Sequence, residues 1–162
     1  MCIRDSPERA LAVMREGGVG AFAVVTLVVV LGVQAAALTE LAGDPVVAIT
    51  ASALVAATGR AGFAWCARRG VAAARPGGLG ATVAGSQPVW TAPLWWAVLA
   101  AAGTAVVPGR PWQGPLAVAL AAAVVVGLSA HTRRRFGGVT GDVLGAANEL
   151  AVTAALAVLA SG

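Results

Sequence analysis

The run VGAFAVVTLVVVLGVQAAALTEL, residues 19–41, decides what solvent surrounds this chain. Its one charged residue, Glu40, stands beside its end. A helix rises 1.5 Å per residue and the hydrocarbon layer is about 30 Å thick, so ~17 to 25 apolar residues suffice to cross. The same reading extends to Pro45 to Cys66, Thr91 to Val107, Gly114 to His131 and Val143 to Ala160. Helices are favoured over strands, because unpaired backbone groups cannot stay exposed in lipid and a barrel needs polar alternation where this chain has alanine and leucine. The expected fold is all-α, a multi-pass transmembrane helical bundle of about five spans.

Composition agrees. Hydrophobic residues make up 59% and charged ones 11%, against roughly 25% charge in soluble domains. The apolar runs never alternate with enough polar residues to build a wetted surface, so a water-soluble core is excluded. A net charge of +4 raises the question of nucleic acid. The arginines, however, sit in short loops between apolar runs, as the positive-inside rule requires, so the expected partner is the lipid bilayer and not nucleic acid. Cys2 and Cys66 cannot form a disulfide framework.

Residues 1–6, Met-Cys-Ile-Arg-Asp-Ser, resemble the translation of a sequencing-adapter end and are set outside the fold. Residues 7–162 then read as one integral membrane domain, expected to be the carboxyl-terminal part of a longer protein. If the five segments cross in alternation, Arg9, Arg15, Arg68, Arg69, Arg75, Arg133, Arg134 and Arg135 share one side. Glu40, Asp44 and Arg110 share the other. Both long loops, Ala67 to Trp90 and Thr132 to Asp142, are therefore expected in the cytoplasm. Trp90, Trp95, Trp96 and Trp112 lie near segment ends, where indoles anchor at headgroup depth.

Both long loops are rich in glycine. The first contains Arg75-Pro76-Gly77-Gly78-Leu79-Gly80-Ala81. Glycine admits backbone angles that aim N–H groups at an anion, and an arginine beside it supplies a two-donor fork for phosphate. A flexible turn explains the same residues. The second runs Arg133-Arg134-Arg135-Phe136-Gly137-Gly138-Val139-Thr140-Gly141-Asp142 into the last apolar segment. A glycine turn feeding a helix start favours anions. Its arginines serve either as phosphate donors or as topological anchors.

Asp142 fits two roles, helix cap or magnesium ligand. Glu149 lies two turns along the same helix, about 10 Å deeper, with Gly145 and Ala146 on the stripe between and Asn148 beside it. An ionisable group inside an apolar span needs a partner or water. Arg60 could snorkel to the interface or face Glu149. His131 has no second histidine or cysteine to make a metal site with.

The stretch Arg135 to Glu149, RFGGVTGDVLGAANE, resembles the carboxyl-terminal signature of the cobalamin synthase family, the adenosylcobinamide-GDP ribazoletransferases. Arg75-Pro76 with Gly78-Leu79-Gly80-Ala81 is similar to that family's central loop, and Met14-Arg15-Glu16 with Gly20-Ala21-Phe22 to the segment before an early span. Glu16, Ala23 and Gly77 depart mildly from the pattern, and the family's aspartate-rich segment is expected upstream of Pro7.

The resemblance implies a magnesium-dependent transferase that joins α-ribazole to adenosylcobinamide-GDP and releases GMP. It implies Asp142 as metal ligand or base and Glu149 as a second catalytic acid. Arg75, Gly78, Gly80, Arg133, Arg135, Gly137, Gly138, Thr140 and Asn148 are then the substrate and phosphate binders. A homo-oligomer is left open. Two alternatives stand beside it: a CDP-alcohol phosphotransferase, whose paired-aspartate signature this chain lacks, and a small transporter or assembly protein built around Glu149 and Arg60.

Overall fold

The computed structural model describes residues 20–161. The stretch at residues 1–6 and Arg9, Met14, Arg15 and Glu16 lie outside the described residues. Among the described residues six helices follow one another: α1 (Ala21–Leu41), α2 (Pro45–Cys66), α3 (Leu79–Val83), α4 (Thr91–Gly103), α5 (Gln113–Phe136) and α6 (Gly141–Ala160). Four of them, α1, α2, α5 and α6, are long and apolar enough to cross a membrane. The protein is an all-α membrane bundle, as its hydropathy requires.

The third expected span is shorter than the sequence implied. Helix α4 has 13 residues, about 20 Å at 1.5 Å per residue, and stops at Gly103 instead of continuing to Val107. The cause is a close crossing. A Cβ placed on Gly114 would run into the backbone of Gly103, and one on Gly103 would lie 3.0 Å from the Gly114 carbonyl carbon. Two glycines let α4 meet the start of α5 backbone to backbone, and turns from Thr104 onward carry the chain to the far end. There Val107 and Arg110 line a recess with Glu40, Asp44 and Gln113.

Helix α6 is the centre of the bundle, packed against α5, α2 and α1. Its buried face is a stripe of small residues, Ala147, Ala151 and Ala155, each at most 1% exposed. Helix α5 answers with Ala117, Ala121 and Val125. In lipid no hydrophobic gain separates helix–helix from helix–tail contact, so close van der Waals approach between small residues has to hold the helices together. Gly62 of α2 takes Val125 of α5 against its missing side chain, where a Cβ would sit 2.9 Å from Cγ2. Helix α1 packs less tightly; it leans on α6, and most of its length is exposed.

The helix ends are closed by ordinary means. Asp44 caps α2 by accepting from the amides of Val46 at 2.8 Å and Val47 at 3.3 Å, with Pro45 in the first turn. Gly137 ends α5 in the left-handed conformation, φ 74°, and donates its N–H to the Arg133 carbonyl. Gln113, 1% exposed, ties the start of α5 to the end of α6. Its Nε2 donates to the carbonyls of Val158 at 2.8 Å and Leu159 at 3.2 Å in the last turn of α6, where carbonyls lack the helix's own amides.

Candidate functional site at the glycine-rich end

Both glycine-rich loops lie at one end of the bundle and are hydrogen-bonded to each other. Val139 donates its N–H to Ala72 O at 2.9 Å, and Ala74 donates to Val139 O at 3.0 Å, a short parallel bridge between segments far apart in sequence. A second bridge closes the base of the first loop, where Arg69 N–H donates to Gln87 O at 2.8 Å and Gln87 N–H to Ala67 O at 3.2 Å. The result is a braced crown over the ends of α2, α5 and α6.

Glycine serves this crossing more than it serves an open turn. Gly138 is buried, and a Cβ there would strike Ala72 O and lie 2.7 Å from Ala74 N. Gly80 is buried too, its absent Cβ 2.7 Å from Val139 O. Gly78 and Gly137 differ: both are exposed and both have positive φ, 84° and 74°. Thr140 is buried and caps α6, its hydroxyl accepting from Val143 N at 3.3 Å. The cap role considered for Asp142 therefore belongs to Thr140, and Asp142 in the first turn is left with its side chain 69% exposed.

The bridge sets Arg75 against Asp142. Arg75 Nη2 lies 3.7 Å from Asp142 Oδ2, close enough for charge attraction and too far for a hydrogen bond. Nε and Nη2 of Arg75 are buried without a hydrogen-bond acceptor. A guanidinium held so has two donor positions still to satisfy.

The other arginines are placed differently. Arg133 and Arg134 are exposed and line a separate polar recess of about 420 Å³ with Ala130 and Gly137. Arg135 is half-buried. Arg68, absent from the residues expected at the site, stacks its guanidinium 4.0 Å from the centre of the Trp65 ring. It also donates to Trp65 O at 2.6 Å and Ser129 Oγ at 3.2 Å. Burial holds its pKa below the ordinary arginine range, and repulsion from Arg133 adds to the shift. Trp96 was expected as an interface anchor. It is half-buried instead, 5.9 Å from Trp65 between ring centres, and its Nε1 donates to Thr58 O at 3.4 Å.

Glu149 does share a face with Asp142: both acids, with Gly145 and Ala146, are exposed on one side of α6. Its partners are amides. Gln34 Nε2 of α1 donates to Oε2 and Asn148 Nδ2 to Oε1, each at 3.2 Å, and Gln34 also reaches Thr153 Oγ1 at 2.9 Å. Arg60 does not face Glu149; it opens onto a groove between α2 and α4. Asn148 points to α2, where only a glycine fits: a Cβ on Gly59 would lie 2.8 Å from Asn148 Oδ1. Gln34 and Thr153 are thus partners the sequence reading missed, although a lone amide inside the apolar run of α1 was the available signal.

For a divalent cation the described residues offer little more than Asp142. Among them no group of three or more His, Cys, Asp and Glu side chains comes together. Magnesium, however, is commonly held by one or two carboxylates with waters and substrate phosphates, so one exposed carboxylate beside an arginine fits that mode.

These features define an α-helical membrane protein with a braced, arginine-rich crown at one end of its spans. The family described as Cobalamin-5-phosphate synthase matches residues 1–160, and the chain belongs to it. The chain is similar to the adenosylcobinamide-GDP ribazoletransferase of a Nocardioides species, 45% identical over 93% of this chain and 56% of the relative. It is 38% identical to that of Frankia casuarinae, over 94% of this chain and 58% of the relative. With that of Brucella anthropi it shares 34%, over 94% and 60%. The chain spans less than two thirds of the length of these relatives. No solved structure matches.

Proposed function

We propose that this protein serves the reaction its relatives are named for, joining α-ribazole or its phosphate to adenosylcobinamide-GDP with release of GMP. A ribose hydroxyl attacks the cobinamide-linked phosphorus, a new phosphoester bond forms there, and the bond to GMP breaks. The observation that carries the reading is Arg75 held beside Asp142 with two of its donor atoms lacking an acceptor. A diphosphate oxygen is the natural acceptor, because charge-assisted forks suit phosphate.

In this reading Arg75 and Arg135 bind the diphosphate, and the exposed backbone at Gly78 and Gly137 gives it close approach. Gly80, Gly138 and Thr140 act as braces that hold those groups in place. Asp142 holds magnesium together with phosphate oxygens, or takes the proton of the attacking hydroxyl. The metal, when bound, neutralises charge on the transferring phosphoryl. Glu149 and Asn148 orient the helix that carries Asp142. Arginine-rich loops favour the cytoplasmic side of a bacterial inner membrane for the crown.

The test is GMP release from GDP-cobinamide and α-ribazole, with and without magnesium. It is run on membranes carrying this chain and on membranes carrying it extended to its relatives' length. The reading expects magnesium-dependent release that Asp142→Ala removes. Release unaltered by that substitution would exclude Asp142 from the site.

A further inference from the structure

Arg60 lies on α2, roughly 9 Å before the helix end at Cys66. Its side chain is exposed, and no hydrogen bond or ion pair joins it to another described residue. A guanidinium at that depth in an apolar span is costly unless an anion or water meets it. The structure puts it at the edge of a groove between α2 and α4, a cavity of about 500 Å³.

The walls of the groove are of two kinds. Phe63, Ala64 and Trp95 form an apolar, partly aromatic surface, and Gln87 and Thr91 bring an amide and a hydroxyl to the same opening as Arg60. Helix α4 beside the groove carries Leu94, Trp95 and Val98, each about half exposed. A long alkyl chain fits the apolar wall, and an anionic ester fits the arginine with its polar neighbours. Tryptophan and a reaching arginine side chain are the pair found where bilayer headgroups meet hydrocarbon.

We propose that the α2–α4 groove is a binding site for an anionic glycerophospholipid, with the lipid phosphate on Arg60 and one acyl chain along Phe63 and Trp95. A free phosphate ion matches the charge but leaves the apolar wall unused. The open recess at Arg133 and Arg134 suits such an ion better.

Native mass spectrometry of the full chain in mild detergent, with added phosphatidylglycerol or phosphatidylcholine, reads the site directly. Wild type retains phosphatidylglycerol in preference to phosphatidylcholine. Arg60→Gln lowers that retention about fivefold, the contribution of one arginine near a charged lipid surface. Arg110→Gln, at the opposite end, leaves it unchanged. Equal retention of both lipids, full retention in Arg60→Gln, or displacement of the lipid by pyrophosphate would each overturn the proposal. Should Arg60→Gln fail to insert, Trp95→Ala, which keeps the charge and removes the aromatic wall, has to lower retention as well. Lipid retention reads the groove alone, whether or not GMP is released.

Discussion

Arg75 stands in the loop after α2 and Asp142 in the first turn of α6, yet the guanidinium Nη2 of one rests 3.7 Å from the carboxylate Oδ2 of the other. The contact exists because the Ala73 and Val139 backbones pair. Two charges that attract without hydrogen bonding leave guanidinium donors for a third group, the place that the proposed reaction gives to phosphate.

Replacing Asp142 with Asn is therefore expected to cost catalysis and not folding. The side chain is 69% exposed and caps nothing, so helix α6 keeps its Thr140 cap. GMP release in the length-extended enzyme should fall by about a hundredfold or more. Membrane insertion and thermal stability should match wild type, and chelation of magnesium should leave the two proteins equally inactive.

Gly138→Ala tests the crossing itself. The new Cβ meets main-chain atoms of Ala72, Ala73 and Ala74, which cannot swing aside as a side chain would. The expected loss is about 1 to 3 kcal/mol, with activity lost through separation of Arg75 from Asp142. Gly77→Ala in the same loop meets nothing within 4 Å and should be near neutral. Thermal unfolding in detergent distinguishes the pair.

The crossing of α4 over α5 predicts a second contrast. Gly114→Ala drives a methyl into the Gly103 backbone and should lower stability by about 1 to 3 kcal/mol. Gly127→Ala, on the same helix with open space around it, should lower stability little or raise it slightly through helix propensity. Equal melting points for the two would contradict the close approach.

Glu149→Ala removes the acceptor of Asn148 and one of the two acceptors of Gln34. Polar contacts between spans contribute about 0.6 kcal/mol on average, and α1 has few other anchors. Disulfide trapping between cysteines placed on α1 and α6 should become slower or less selective. Glu149→Gln keeps one acceptor oxygen and should show a smaller effect.

Hydropathy made the spans legible, since α1, α2, α5 and α6 need only length and apolar composition. It overran α4, because the stop at Gly103 depends on a glycine in another helix. The sequence reading considered only Asp142 as the cap of α6, and for a local reason it missed Thr140: both residue types favour helix starts, and spacing alone cannot rank them. Glycine in both loops suggested a phosphate cradle. Gly80 and Gly138 are glycine because two backbones pass there, a cause that lies in a pairing of distant segments. Resemblance found the loops; it could not say that Arg133 and Arg134 open onto a different recess from Asp142, or that Gln34 would meet Glu149.

The bridge between Ala73 and Val139 also imposes an order of assembly. During translation the loop bearing Arg75 leaves the ribosome long before Val139 does, so it must wait, unbraced, while α4 and α5 are threaded into the bilayer. Only the emergence of Val139 locks it. Until then a nascent chain presents Arg75 without the acid that faces it.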